Sequence, residues 1–244
     1  MKSSTFILRT CLAFTIAVGV FSRPVWSEEK IPTHLELGRS LLSSITPENT
    51  SYRHKSQIRW TSASGDLEVH TDCSGLLNNL LDKAGSPSLE RLRQMSIKRR
   101  PHAEDYYELI MRQDGFKRIS RLQDVQPGDI IAIRYPPGSG DTGHVMLIDA
   151  SPILRNRDTA PLIDRTRQWE VIVIDSSKSP HGTSDTRYLA SGKKYDGVGR
   201  GIVRIYADEA GVPTGYSWST AQGSNYQDTQ SRPIAIGRTD DPHP

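Results

Sequence analysis

The apolar periodicity of this chain turns from mainly helical to β at Val125, and that change limits what it can fold into. Before it, apolar residues recur at three- and four-residue spacing: Leu35, Leu37, Leu41, Leu42 and Ile45, then Leu76, Leu77, Leu80 and Leu81, then Tyr106, Leu109 and Ile110. Each set draws one face of a helix. After it come short strand-like runs at 130–135, 143–149, 169–175, 201–206 and 214–218, the first four carrying Ile and Val, divided by turns such as Gln126-Pro127-Gly128-Asp129. These read as strands. Helices followed by strands define an α+β layout, with the helices packed on one face of an antiparallel sheet of about five strands. Two shorter strand-like pieces, 57–61 and 67–70, read as a hairpin that delivers the chain to Cys73.

The 244 residues are 35% hydrophobic and 24% charged, enough for a real core, and residues 28–219 read as one domain. Residues 220–244 are polar and poor in apolar side chains, and are expected to be a disordered tail. A net charge of +3 is mild and makes no case for nucleic acid as a partner.

The first 27 residues have the parts of a secretory signal peptide. Lys2 and Arg9 lead into an apolar run at 11–21, followed by a polar break and Val25-Trp26-Ser27, with cleavage expected after Ser27. The run is too short to span a bilayer comfortably, so no stable membrane span is expected after cleavage. An uncleaved anchor is the other reading. Either way the protein is expected to be exported, periplasmic or secreted.

Export changes the meaning of the cysteines. The chain has two, Cys11 and Cys73, and cleavage leaves Cys73 alone, with no partner for an intramolecular disulfide. A single thiol in an oxidising compartment is a liability unless it is used. It could instead pack as a small inert hydrophobe, but Asp72, Ser74 and Gly75 around it are polar and turn-like. Cys73 would open the helix carrying Leu76, Leu77, Leu80 and Leu81. There, free backbone N–H groups and the helix dipole favour a thiolate.

A cysteine nucleophile needs a base, and the base needs an orienting partner. Of seven histidines, His34, His54, His181 and His243 fall in loops or ends, and His102 reads as a surface or cap residue. His144 opens a strand directly after a glycine-rich loop, where its ring can project over a helix N-terminus. For the third member, Asp149 shares the strand of His144 at an odd separation and so points to the other face. Asp141 lies in the loop. Asp175 ends the next strand within reach of the imidazole, though an ordinary strand-end turn residue is an equal reading of it. One cysteine and scattered histidines make no zinc-ligand cluster, so neither metal nor cofactor is expected. The basic segment Arg91, Arg93, Lys98, Arg99 and Arg100 reads as a solvated helix face.

Three stretches, Asp72-Cys73-Ser74-Gly75-Leu76, Pro127-Gly128-Asp129-Ile130-Ile131 and Gly143-His144-Val145-Met146-Leu147-Ile148, together resemble the NlpC-type cell-wall cysteine peptidases of the papain-like group. The resemblance covers roughly residues 52–207. It implies a papain-like fold, with the cysteine at a helix start and the histidine on the second strand of the sheet. It also implies hydrolysis of amide bonds in peptidoglycan stem peptides. The chain departs from that family in two places. The family's third residue is a histidine soon after the catalytic one, and Asp175 would stand in its place here. The family's tyrosine lies shortly before the cysteine, whereas Tyr52 is rather far back and receives no role. The expected triad is Cys73, His144 and Asp175. The same residues could serve a thiol acyltransferase or an amidase with another substrate, and the fold could serve a non-catalytic envelope binding module.

Overall fold

The structure is a computed structural model and describes residues 31–60, 67–96 and 100–241. The expected signal segment lies outside the described residues.

Helix α1 (Thr33–Leu42) is followed by a small sheet of β1 (Thr50–Ser51), β2 (Gln57–Arg59) and β3 (Glu68–His70). In it β3 lies between the other two, parallel to β1 and antiparallel to β2. Three helices follow: α2 (Cys73–Lys83), α3 (Pro87–Met95) and α4 (Ala103–Arg112). Their ends carry their own stop and start signals. Asp72 caps α2, Gly85 at φ +67° ends it, and Pro87 opens α3. His102 stands at the N-cap of α4, its N–H donating to the Asp105 carboxylate at 2.7 Å.

The remaining chain builds one large antiparallel sheet. Its strands are β4 (Phe116–Ile119), β5 (Ile130–Arg134), β6 (Gly143–Ile148), β7 (Ile153–Leu154), β8 (Arg167–Ser177), β9 (Gly197–Ala207), β10 (Pro213–Ser217), β11 (Tyr226–Asp228) and β12 (Ile234–Thr239). The spatial order is β11-β10-β9-β8-β6-β5-β12-β4, with β7 added beside β8. The architecture is therefore α+β, as the periodicity indicates, but the sheet has nine strands instead of about five. β8 and β9 form its spine, paired without a register break from Arg167↔Ala207 to Ser177↔Gly197.

Alternation along the central strands divides the core in two. Ile130, Ala132, Val145, Leu147 and Ile174 face the helices and pack with Leu35, Leu80, Leu81, Tyr106 and Ile110. Their neighbours Ile131, Ile133, Met146, Ile148, Val171 and Val173 face the other way, into a second cluster with Leu122, Val125, Val203, Ile205 and Tyr216. Both faces are buried, which is why these strands read as nearly continuous apolar runs.

The structure corrects the expectation of a disordered tail at 220–244. β11 pairs with β10, and β12 lies between β5 and β4, with Ile236 opposite both Ile131 and Ile119. The domain accordingly runs past residue 219, to the end of the described chain at 241. The apolar signal of β12 is only Ile234-Ala235-Ile236, between Pro233 and Gly237. Backbone pairing on both sides and burial of Ala235 and Ile236 supply the order that local composition does not. β4 escapes sequence reading for a related reason, because Lys117 and Arg118 interrupt its buried Phe116 and Ile119. Among the described residues no helix is long and apolar enough to cross a membrane.

Candidate active site

Cys73 is the first residue of α2 and the free cysteine of the described chain. The Asp72 side chain accepts a hydrogen bond from Gly75 N at 2.8 Å and one from Ser74 Oγ at 3.2 Å, which fixes the first turn. Gly75 is required by close approach: a Cβ there would collide with Ser56, Thr71 and Arg100. From the sheet, Ser176 Oγ donates to Thr71 O at 2.6 Å and ties the end of β8 to the residues just before the cysteine. The thiol is thus held between the helix start and the end of the longest strands.

His144, the second residue of β6, is 5% exposed and turns toward that helix start. Its Nε2 lies 2.6 Å from Asp175 Oδ2. Cys73 lies close enough to act on the ring. Nε2 is engaged by the carboxylate, which leaves Nδ1 as the nitrogen available to the thiol. Burial alone would make the imidazole less basic. The negative charge of Cys73 and the hydrogen bond with Asp175 outweigh burial and raise its pKa to about 10.

Asp175 is fully buried inside β8 and has more partners than a triad requires. Its Oδ2 receives His144 and also His181 Nε2, at 3.0 Å. Its Oδ1 stands 2.9 Å from Arg187 Nη2, an ion pair angled too poorly for a hydrogen bond. Burial works against the carboxylate's charge, but Arg187, His181 and His144 more than offset it and hold Asp175 well below the usual carboxylate range. Arg187 grips Asp185 through Nε and Nη2 at 2.9 and 2.7 Å, and donates to Ser177 Oγ and Gly197 O. Trp218 roofs the pair of imidazoles, its ring centroid 4.9 Å from that of His144 and 4.1 Å from that of His181.

A cleft of about 340 Å³ opens over Cys73, lined by Tyr52, His54, Arg100, His102 and residues 140–143 among others. Burial, then the charges of Cys73 and Asp72, push the Tyr52 phenol up, so its O–H remains a donor beside the thiol. Arg100 pairs with Asp72 and donates to His54 O. His54 stands 3.4 Å from Asp72 Oδ2 and 3.7 Å from Asp141 Oδ1.

The three residues singled out from the sequence, Cys73, His144 and Asp175, therefore meet. Asp149 is elsewhere, clamped between Arg39 and Arg200 at 2.6 Å each, and Asp141 stands at the cleft mouth. Three neighbours were not legible. His181 sits in a Ser- and Gly-rich loop with no local signal. Tyr52 is distant in sequence but reaches the cleft because β1 pairs with β3, which leads into Cys73. Arg100 belongs to a segment that reads as a solvated face but itself turns inward to the helix cap. His34, also placed in a loop from the sequence, is buried in α1, and its Nε2 lies 2.8 Å from Gly128 O. Among the described residues no group of three or more His, Cys, Asp or Glu side chains is arranged to hold a metal ion.

The chain is 36% identical over 221 residues to the uncharacterized protein R653 of Acanthamoeba polyphaga mimivirus, a match spanning 86% of this chain and 97% of the viral one. It belongs to the same family as that protein. No family model matches the chain, and no solved structure matches it.

Proposed function

We propose that the protein is a thiol hydrolase of the NlpC-type, papain-like group that cleaves an amide bond, with peptidoglycan stem peptides as its substrate. The observation that carries this reading is the buried series from Cys73 through His144 to Asp175, with Cys73 lining a cleft. The thiolate attacks the amide carbonyl held in the cleft. The Cys73 backbone N–H, free at the helix start, stabilises the oxyanion, and the Tyr52 O–H is the second candidate donor. Donors of this kind contribute about 3 kcal/mol each to a transition state. His144 Nδ1 then gives its proton to the leaving amine, and the C–N bond breaks. Water, deprotonated by the same nitrogen, releases the acyl group from sulfur. Asp175 holds the ring through Nε2 at both steps.

An exported location suits such a substrate, and the pattern of residues 1–27 supports it. The test is digestion of purified peptidoglycan, read by mass spectrometry of the released peptides. Cleavage of one stem-peptide bond that is absent with Cys73→Ala supports the reading. Intact polymer, with an unrelated amide cleaved in its place, moves the substrate elsewhere while keeping the reaction.

A further inference from the structure

His181 is a buried imidazole that a Cys-His-Asp mechanism does not use. It lies outside the regular strands, in the connection between β8 and β9, yet its side chain is 0% exposed. Its Nε2 is 3.0 Å from Asp175 Oδ2, the same oxygen that receives His144. Its Nδ1 is 2.8 Å from Trp218 O. A carboxylate and a carbonyl are both acceptors. An imidazole bridging them satisfies both only with a hydrogen on each nitrogen, which is the cationic form. The backbone holds the ring in this place, since His181 N donates to Asp185 Oδ2 at 2.7 Å and Asp185 is in turn locked by Arg187. Gly201 leaves room for it, because a Cβ there would come within 2.7 Å of the His181 Cβ.

We propose, on the reading of Cys73 and His144 given above, that His181 is a positioning residue: a second, cationic imidazole that divides the Asp175 carboxylate between two rings. The charges that face it are consistent with this. Asp175 on β8, with Asp185 and Arg187 in the same connection, surrounds it directly, and His144 on β6 and Cys73 on α2 follow through Asp175. A carboxylate shared in this way pulls less on the His144 proton. His144 can then release that proton from Nδ1 to a leaving amine, while the ring stays oriented.

The test follows iodoacetamide labelling of Cys73 against pH in the wild type, His181→Gln and Asp175→Asn. Gln at 181 keeps a donor toward Asp175 but removes the charge. Both limbs of the wild-type profile, formation of the thiolate and deprotonation of His144, should move to higher pH in His181→Gln by about one unit. Asp175→Asn should move them the opposite way. A residue that only packs would lower the melting temperature without moving either limb. Unchanged limbs in His181→Gln, with an activated wild-type thiol, overturn the role of His181 and leave the proposed chemistry standing. A wild-type thiol that is not activated at all overturns the proposed chemistry itself. The second measurement needs no variant: side-chain ¹⁵N shifts of the His181 ring in the folded wild type at neutral pH. Two protonated nitrogens are expected, and a neutral tautomer would contradict the proposal.

Discussion

Two buried aspartates, one at the end of β6 and one in β8, show how the same residue type serves different ends in one sheet. Asp149 is held by Arg39 and Arg200, whose side chains are 39% and 40% exposed. Its pKa is lowered, against burial, by hydrogen bonds from those two arginines. The clamp joins α1 to the sheet. Asp175 is held by His144, His181 and Arg187, all deep in the protein, and one of these partners faces a thiol beneath a cleft. A carboxylate with permanent, half-solvated cations on every side can only hold. A carboxylate bound to an imidazole that also touches a nucleophile can govern a proton.

The largest way to break this comparison is in rate. Asp175→Asn should lower kcat for amide cleavage by about 10³–10⁴-fold, the size seen when an imidazole loses its orienting carboxylate. Asp149→Asn should stay within a few-fold. Equal losses in steady-state assays of the two variants would remove the distinction.

Stability should separate them next. Asp175→Ala removes the carboxylate that the buried His144, His181 and Arg187 share and should cost about 3–5 kcal/mol in urea unfolding. Asp149→Ala leaves arginines that can turn to water, and should cost about 1–2 kcal/mol once solvent screening is counted.

A third contrast lies in pH. His144 has a raised pKa, so its stabilising contribution is complete below its unfolded value of about 6.5 and is lost as pH climbs through about 10. The melting-temperature gap between wild type and His144→Gln should therefore narrow from pH 6 to pH 10. The gap between wild type and Asp149→Asn should stay flat over that interval. Asp149, with its lowered pKa, contributes above its unfolded value and loses that contribution only in acid. The smallest effect belongs to the clamp's own arginines: Arg200→Ala should cost less than about 1 kcal/mol, measured in the same unfolding experiment.

How much of this was legible follows from the range of each signal. α2 and α4 announce themselves through four-residue apolar spacing and through Asp72, Gly85 and His102 at their ends. β5, β6, β8 and β9 do so through dense β-branched runs. Cys73 and His144 carry local signals, a helix start and a strand opening after a glycine-rich loop. Asp175 was legible only as one of two equal readings. Its environment is made by His181 and Arg187, held in a loop whose composition reads as open and polar. β12 could not be read at all, since three apolar residues between Pro233 and Gly237 become a strand only where β4 and β5 leave a gap. What the sequence hides in this protein is what only long-range pairing creates.

The most direct test of the central claim is the rate of Cys73 alkylation at about pH 6, in the wild type and in His144→Ala. An ordinary thiol is almost wholly protonated there. Fast labelling in the wild type that collapses without His144 is the predicted result. Slow labelling that rises only toward about pH 8.5, unchanged by the substitution, would contradict a catalytic Cys73–His144 pair.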